Sequence, residues 1–388
     1  MIRRKRTGDR PRVVHLTTTD MSLDWLLGPQ LRAFTNAGYE VIGMSAPGPH
    51  VAALEAMGVQ HVPVPGFTRS TDPIQDVRAF VQLVRLLRSV RPDILHTHNP
   101  KPGVLGRIAG RIARVPLIVN TQHGLYAQPD DRWQRRWPVY AVERLASAFG
   151  DVELVQNPED VDTLVQTLRV PERKVRLLGN GVDLERFDPD SVPAETVRSL
   201  RSSWGVGEHD LACCVVGRLV REKGIVEILE AAHSVAATDS RVKFVIIGPS
   251  DPDKADAIGQ DLLQRAAADG CVLLGSRDDM AECYAASDLF LSASWREGLP
   301  RAAMEAAAMG LPIVATDIRG NRQVVADGET GVLTPVRDPA ALATAVESLA
   351  ADAERRAHFG AQARRRAATE FDQRRVIDRT VAAYELLG

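Results

Sequence analysis

Short apolar runs alternate with longer amphipathic stretches along the whole chain. In the first half Arg12–Thr17, Glu40–Ser45, Gln60–Val64, Asp93–Thr97, Leu117–Thr121, Asp151–Gln156 and Lys174–Leu178 are rich in Val, Ile and Leu and read as strands. Between them Asp76–Val90 has helical period, with Val77, Phe80, Val81, Val84, Leu86 and Leu87 recurring near three and four. The pattern restarts after residue 208, with strands at Leu211–Val216, Val242–Ile247, Cys271–Leu274, Asp288–Leu291, Pro312–Ala315 and Gly331–Leu333. Such alternation predicts an α/β protein with parallel sheets covered on both faces. Gly179–Asp183 and the polar stretch Asp188–Glu208 read as the connection. That gives an N-terminal domain over 1–185, a C-terminal domain over 186–370, and a last helix over 371–388 expected to pack back toward the first domain. Doubly wound domains bind ligands at the carboxyl ends of their strands, so the chemistry is sought there.

Composition narrows the class. A chain of 388 residues, 45% hydrophobic and 25% charged, is an ordinary globular protein of two or three domains, not a disordered or collagen-like one. No run of about 18 apolar residues occurs, so no spanning helix is expected. The basic opening Met1–Arg6 lacks the apolar core of a secretory signal. Cys213, Cys214, Cys271 and Cys283 form no framework, which points to reduced thiols and a cytoplasmic location. The net charge of −2 hides an asymmetry: residues 1–180 hold 24 basic and 17 acidic side chains, a net of +7, and the remainder a net of −9. Either the basic half meets an anionic partner, or its arginines coat solvated helices.

Two segments carry candidate chemistry. Gly217–Gly224 follows the run Leu211–Val216 and leads into a helix near Gly224. Unpaired backbone N–H groups in such a turn suit phosphate, and Arg218 and Lys223 add a fork and a point charge. The turn matches neither the dinucleotide nor the ATP phosphate-loop pattern. The second segment runs from Glu297 through Gly298, Leu299 and Pro300 to Glu305 and Gly310, a loop followed by a helix with Pro300 in its first turn. Glu297 and Glu305 are eight positions apart, about 12 Å along a helix. Glycosidase pairs lie about 5–10 Å apart. Two acceptor-only carboxylates equally hold two sets of sugar hydroxyls.

These two segments in this order resemble the signature of the family 4 glycosyltransferases, as do Asn180–Asp183 and Pro312–Asp317. The resemblance covers nearly the whole chain and is densest over 210–335. It implies the GT-B fold, two Rossmann-like domains facing across a cleft, and a retaining transferase using a nucleoside-diphosphate sugar. Arg218 and Lys223 would hold the diphosphate in place of a metal ion, Glu297 the transferred sugar and Glu305 the ribose, with no cofactor. Arg277 and Asp278 would lie by the base. In the first half the segments His96–Gly103 and Asn120–Tyr126 sit just after strands. His123 would touch the donor sugar, His98 is a further binding candidate, and His96 reads as a satisfied core imidazole. Together with Asp317–Gln323 they are similar to the branch that builds surface polysaccharides on lipid carriers, although Gln323 stands where that family often has Glu. The implied donor is a hexose or N-acetylhexosamine carried on UDP, and the implied acceptor a polyprenyl-linked or other glycan.

Asp188-Pro189-Asp190 and Asp251-Pro252-Asp253 match a metal-holding pair of another transferase fold, and chance accounts for both. Over Asp131–Ala148, Arg132, Arg135 and Arg136 interleave with Trp133, Trp137 and Tyr140. That suits either an anionic membrane surface at the inner face of the cell membrane or a helix packing its aromatics on the sheet. Arg3–Arg6 would add to the first reading. No nucleic-acid motif appears. Two rivals to transfer remain, a nucleotide-sugar epimerase of the same architecture and a silent binding protein.

Overall fold

The computed structural model describes residues 10–67, 72–98, 100–129, 131–251 and 254–387. The basic segment at 3–6, Asn99 and Asp253 lie outside the described residues. The chain divides into two compact units, Met1–Gly179 with Val376–Gly388, and Asn180–Arg375. The polar stretch read as a connection lies inside the second unit. It carries the helix Ala194–Ser203, and Phe187, Trp204 and Val206 on either side bury in that unit's core.

The first unit holds seven parallel strands: β1 (Arg12–Thr19), β2 (Glu40–Ala46), β3 (Gln60–Pro63), β4 (Ile94–His98), β5 (Leu117–Gln122), β6 (Val152–Val155) and β7 (Val175–Leu177). Their order is β3-β2-β1-β4-β5-β6-β7. The chain winds outward from β1 and then crosses back to β4, so the order reverses between these two strands. Strands β1, β4 and β5 are buried on both faces, which is why they read as continuous apolar runs. His96 and His98 stand within β4, not after it.

The helix Pro73–Val90 is capped by the Asp72 carboxylate, which accepts from the N–H groups of Ile74 and Gln75. Its period matches the sequence, and Val84 and Leu87 with the partly buried Phe80 and Leu86 face the core as the pattern predicts; two of its positions do not. Val77 and Val81 are exposed, while Ala79, Leu83, Val84 and Leu87 face the core. A small residue at 79 allows close approach to Gly66, where an added Cβ would sit 2.7 Å from that of Ala79. The last helix, Gln373–Tyr384, buries Val376, Ala383 and Tyr384 among residues of the first unit such as Val13, Phe34 and Val119.

The second unit holds six strands: β8 (Leu211–Val216), β9 (Val242–Ile247), β10 (Val272–Gly275), β11 (Leu289–Ser292), β12 (Ile313–Thr316) and β13 (Gly331–Thr334), in the order β10-β9-β8-β11-β12-β13. All pairings are parallel. Alternate residues of β8 feed two apolar layers, Cys213 and Val215 one, Cys214 the other. The order reverses between β8 and β11. Both candidate segments begin where these two strands end. All four cysteines are free and buried.

Candidate active site

After β8 the chain makes a single 3-10 turn, Arg221–Lys223, and Gly224 then adopts the left-handed conformation (φ 68°) before the helix Ile225–Thr238. An added Cβ on Gly224 would lie 2.1 Å from the Ala293 carbonyl oxygen, so only glycine lets this turn press against the chain leaving β11. The contact continues through the Trp295 N–H, which donates to the Glu222 carbonyl at 2.9 Å. The two candidate segments are thus pinned together by backbone geometry.

This juxtaposition brings the charges into register. The Lys223 ammonium donates to Glu297 Oε1, and the Ser294 hydroxyl donates to the same oxygen at 3.0 Å. Arg218 Nη1 donates to Asp251 Oδ2 at 3.0 Å. Gly320 lets the segment after β12 approach Glu297, since a Cβ there would be 2.7 Å from the Glu297 carbonyl oxygen. Leu299 accepts a long bond, 3.4 Å, from the Asn180 amide. Pro300 is the residue before the helix Arg301–Ala308, one position earlier than its sequence suggests.

Glu305 lies on that helix, 9% exposed. Its Oε2 accepts from the Tyr284 hydroxyl at 3.1 Å and its Oε1 from Arg301 Nε at 3.0 Å. Burial pushes its carboxyl pKa up, and Arg301 and Tyr284 oppose that push. A carboxylate has about four lone-pair directions, so each oxygen keeps capacity for a hydroxyl. Arg301 was passed over in the sequence, although its i, i+4 spacing from Glu305 could have marked it. Tyr284, 21 positions away, left no local signal.

The loop after β10 shows a self-contained ion pair. Arg277 grips Asp279 through two nitrogens, with Nε to Oδ1 at 2.7 Å, while Arg186 Nη2 donates to the Asp278 carbonyl at 2.7 Å. Arg186, Asp278, Asp279 and Glu282 line a cavity of about 390 Å³. The sequence singled out Arg277 and Asp278 but not Arg186. Asp188 and Asp190 both pair with Arg364 Nη2, at 2.6 and 2.8 Å, which accounts for that acidic pair without a metal.

In the first unit, a cavity of about 580 Å³ is lined by His123, Tyr126, Leu105, Val139, Val142 and Lys101 among others. His123 follows β5 directly. His98 Nδ1 is 3.1 Å from His123 Nε2, and His98 Nε2 is 3.1 Å from His15 Nδ1. Burial lowers the pKa of all four rings: His15 to about 3, His123 to about 4, and His96 and His98 well below the usual value. His96 is fully buried and bonded at both nitrogens, to Tyr384 and Thr121, as a core imidazole. His15 escaped the sequence reading, although the parallel register sets it beside His96.

On the helix Trp133–Ser147, Trp133 is 65% and Trp137 51% exposed, with Arg136 over the Trp137 ring. Tyr140, grouped with them by sequence, is buried beside Leu125 and Leu164. Among the described residues no helix is long and apolar enough to cross a membrane.

Residues 197–366 match the family described as glycosyl transferases group 1, and residues 30–186 match Glycosyltransferase Family 4. The chain is 30% identical over 282 residues to the UDP-Gal:alpha-D-GlcNAc-diphosphoundecaprenol alpha-1,3-galactosyltransferase of Escherichia coli, covering 71% of this chain and 70% of that protein. It is 29% identical to the putative glycosyltransferase EpsD of Bacillus subtilis, covering 96% of each. Among solved structures, HepE of Anabaena in complex with UDP shares the fold at a TM-score of 0.79 and 19% identity, over 97% of this chain and 99% of that one. Two parallel Rossmann-like sheets and these matches define a glycosyltransferase of GT-B fold. More narrowly, the chain belongs to the family 4 glycosyltransferases. The matches do not favour the epimerase alternative.

Proposed function

We propose that this glycosyltransferase retains anomeric configuration and needs no metal ion or cofactor. It moves a hexose or N-acetylhexosamine from a nucleoside-diphosphate sugar, a UDP-sugar foremost, to a lipid-linked or other glycan acceptor in surface polysaccharide synthesis. The carrying observation is the placement of two cations, Arg218 and Lys223, in one turn where the second sheet reverses its strand order. The named donor and the diphosphoundecaprenol-linked acceptor of the Escherichia coli relative support the choice of substrates.

In this scheme the bond from the anomeric carbon to the β-phosphate oxygen breaks as a bond to the acceptor hydroxyl forms on the same face. The acceptor's proton passes to the departing phosphate. Arg218 and Lys223 receive the charge that develops on that oxygen, the interaction that grows most in the transition state. Glu297, oriented by Lys223 and Ser294, holds hydroxyls of the transferred sugar. Glu305 holds the ribose, and the loop with Arg277, Asp278 and Arg186 serves the base. In the first unit His123 takes a hydroxyl of the sugar, and the cavity it lines admits the acceptor.

Purified protein incubated with a panel of nucleotide-sugars and acceptors tests this. Transfer with release of UDP, an unchanged anomeric configuration by NMR, and an unchanged rate with chelator are expected; interconversion of the free nucleotide-sugar or binding without turnover would replace the scheme. The carboxylate roles separate by calorimetry. Glu305→Ala is expected to weaken UDP binding about 10–100-fold, the loss of hydrogen bonds to a charged group, and Glu297→Ala to leave it nearly unchanged. Equal losses would overturn that division.

The same reading places the enzyme at an anionic membrane surface through the helix Trp133–Ser147. Replacing Trp133 and Trp137 with alanine is expected to lower sedimentation with anionic vesicles roughly tenfold or more, since each ring offers a large apolar face at little cost to the fold. Unchanged sedimentation would leave these two rings without that role.

A further inference from the structure

The centre of the first unit holds a line of polar rings leading to His123, of which the reaction scheme uses only that last one. Tyr384, on the last helix, sits with its hydroxyl 2.6 Å from His96 Nδ1 and 3.3 Å from His15 Nε2. His15 Nδ1 meets His98 Nε2 at 3.1 Å, and His98 Nδ1 meets His123 Nε2 at 3.1 Å. His96 Nε2 branches off to the Thr121 hydroxyl at 2.7 Å. His15, His96, His98 and Tyr384 are at most 2% exposed. The line ends at His123 Nδ1, which is buried and meets no hydrogen-bond partner within bonding distance among the described residues; the Gln156 side chain also acts on this ring. His123 lines the 580 Å³ cavity.

Nitrogens of His15, His96 and His98 lie within 4.8 Å of one another, as metal ligands would. Yet both nitrogens of all three rings already meet a hydrogen-bond partner, so the arrangement closes without an ion.

The proton count fixes a direction. Buried and neutral, each ring carries one N–H and one bare nitrogen. The Tyr384 hydroxyl has a single proton and two imidazole neighbours. O–H donors make shorter contacts than N–H donors, so the 2.6 Å contact is the hydroxyl donating to His96 Nδ1. His96 then donates from Nε2 to Thr121. The longer contact is His15 Nε2–H donating to the Tyr384 oxygen. His15 Nδ1 is therefore bare and accepts from His98 Nε2–H. His98 Nδ1 is bare in turn and accepts from His123 Nε2–H. One hydroxyl thereby orders four rings, each with its proton on Nε2.

We propose that Tyr384, His15 and His98 are positioning residues forming a tautomer relay that holds His123 with its Nδ1 lone pair free, so that His123 accepts a hydrogen bond from a sugar hydroxyl. The last clause rests on the role given to His123 above; the relay itself does not. With the opposite tautomer His123 would present N–H and could only donate, so the relay decides which sense of hydrogen bond the sugar meets.

Long-range proton–nitrogen spectra of the full-length protein labelled with ¹⁵N-histidine, assigned with single His→Gln variants, report which nitrogen carries each proton. Four Nε2–H rings are expected. A proton on Nδ1 of His123, a mixture of its tautomers, an imidazolium, or a metal ion found in the purified protein would each overturn the relay. Tyr384→Phe removes the hydroxyl that sets the direction. In that variant the His123 signals are expected to become a mixture and turnover to fall about tenfold, with UDP affinity unchanged because UDP lacks the transferred sugar that His123 would meet. A single Nε2–H tautomer at His123 in Tyr384→Phe would make Tyr384 merely structural and overturn the proposal. Should that variant not fold, His98→Phe gives the same reading at His123, because an apolar ring neither accepts from His123 nor donates to His15. If the relay is seen but His123→Ala keeps full activity, the sugar-binding role fails and the relay stands.

Discussion

Replacing Arg218 or Lys223 with alanine is expected to lower turnover about 10²–10³-fold, the cost of removing one preorganised donor from a developing oxyanion. Both side chains project from the turn between β8 and the helix Ile225–Thr238 and belong to no apolar layer. Arg218 pairs with Asp251 while more than a third exposed, a pair that contributes little to stability. The melting temperature of Arg218→Ala is therefore expected to stay within a few degrees of the parent. Lys223→Ala removes the partner of Glu297, which keeps the Ser294 hydroxyl, so the carboxylate is not stranded. Arg218→Lys tests geometry against charge. It keeps the cation but loses the fork, and its rate is expected to lie between those of the parent and the alanine variant. A double alanine variant with full turnover would end the proposed mechanism, whereas a large fall in melting temperature would move the effect from chemistry to folding.

What the chain reveals before folding depends on how local the cause is. The runs Leu211–Val216 and Val242–Ile247 keep their ends in the structure because both strands are buried on both faces, and apolarity alone marks them. The helix Pro73–Val90 shows the opposite. Its period is local and marks Val84 and Leu87, but that Ala79 turns inward while Val77 and Val81 stay exposed goes with the close approach of Gly66, and that is a tertiary fact. The turn with Arg218 and Lys223 was legible because it follows an apolar run directly, and the segment Glu297–Glu305 because it follows another after a short loop. Their mutual contact was not, since it depends on Gly224 meeting Ala293 across 69 positions of chain. Asp188 and Asp190 have the spacing of a metal-binding pair, and only Arg364, far along the chain, shows what they hold. Tyr384 lies 288 positions from His96, so no window of sequence could have joined them.

Arg107→Ala is expected to destabilise the first unit by about 3–5 kcal/mol, the usual cost of stranding a buried charge. Arg107 is fully buried. Its Nη1 donates to Glu153 Oε1 and its Nη2 to Glu143 Oε1, each at 2.7 Å, and its Nε donates to the Gly103 carbonyl at 2.7 Å. The remaining oxygen of Glu153 accepts from the Asn120 amide at 2.8 Å, and Glu143 accepts from Gln122. Every member is satisfied, so removing the guanidinium leaves two carboxylates without their counter-charge. Burial already raises the Glu153 pKa against the pull of Arg107. Without Arg107 it rises further, and the folded variant binds a proton that the unfolded chain has lost. Its stability is then fullest below the unfolded pKa of about 4.3 and falls as pH rises through the folded value. Urea titrations are expected to show a larger gap between variant and parent at pH 8 than at pH 5. A gap below about 1 kcal/mol, or one that widens toward acid, would contradict this account. The effect reaches His123, for which a sugar-binding role is proposed, because Asn120 and Gln122 stand on β5 just before it. Arg107→Ala is accordingly expected to lose turnover even at temperatures where it remains folded. Replacing Arg107, Glu143 and Glu153 together with apolar residues is expected to restore much of the stability, since no charge is then left buried alone.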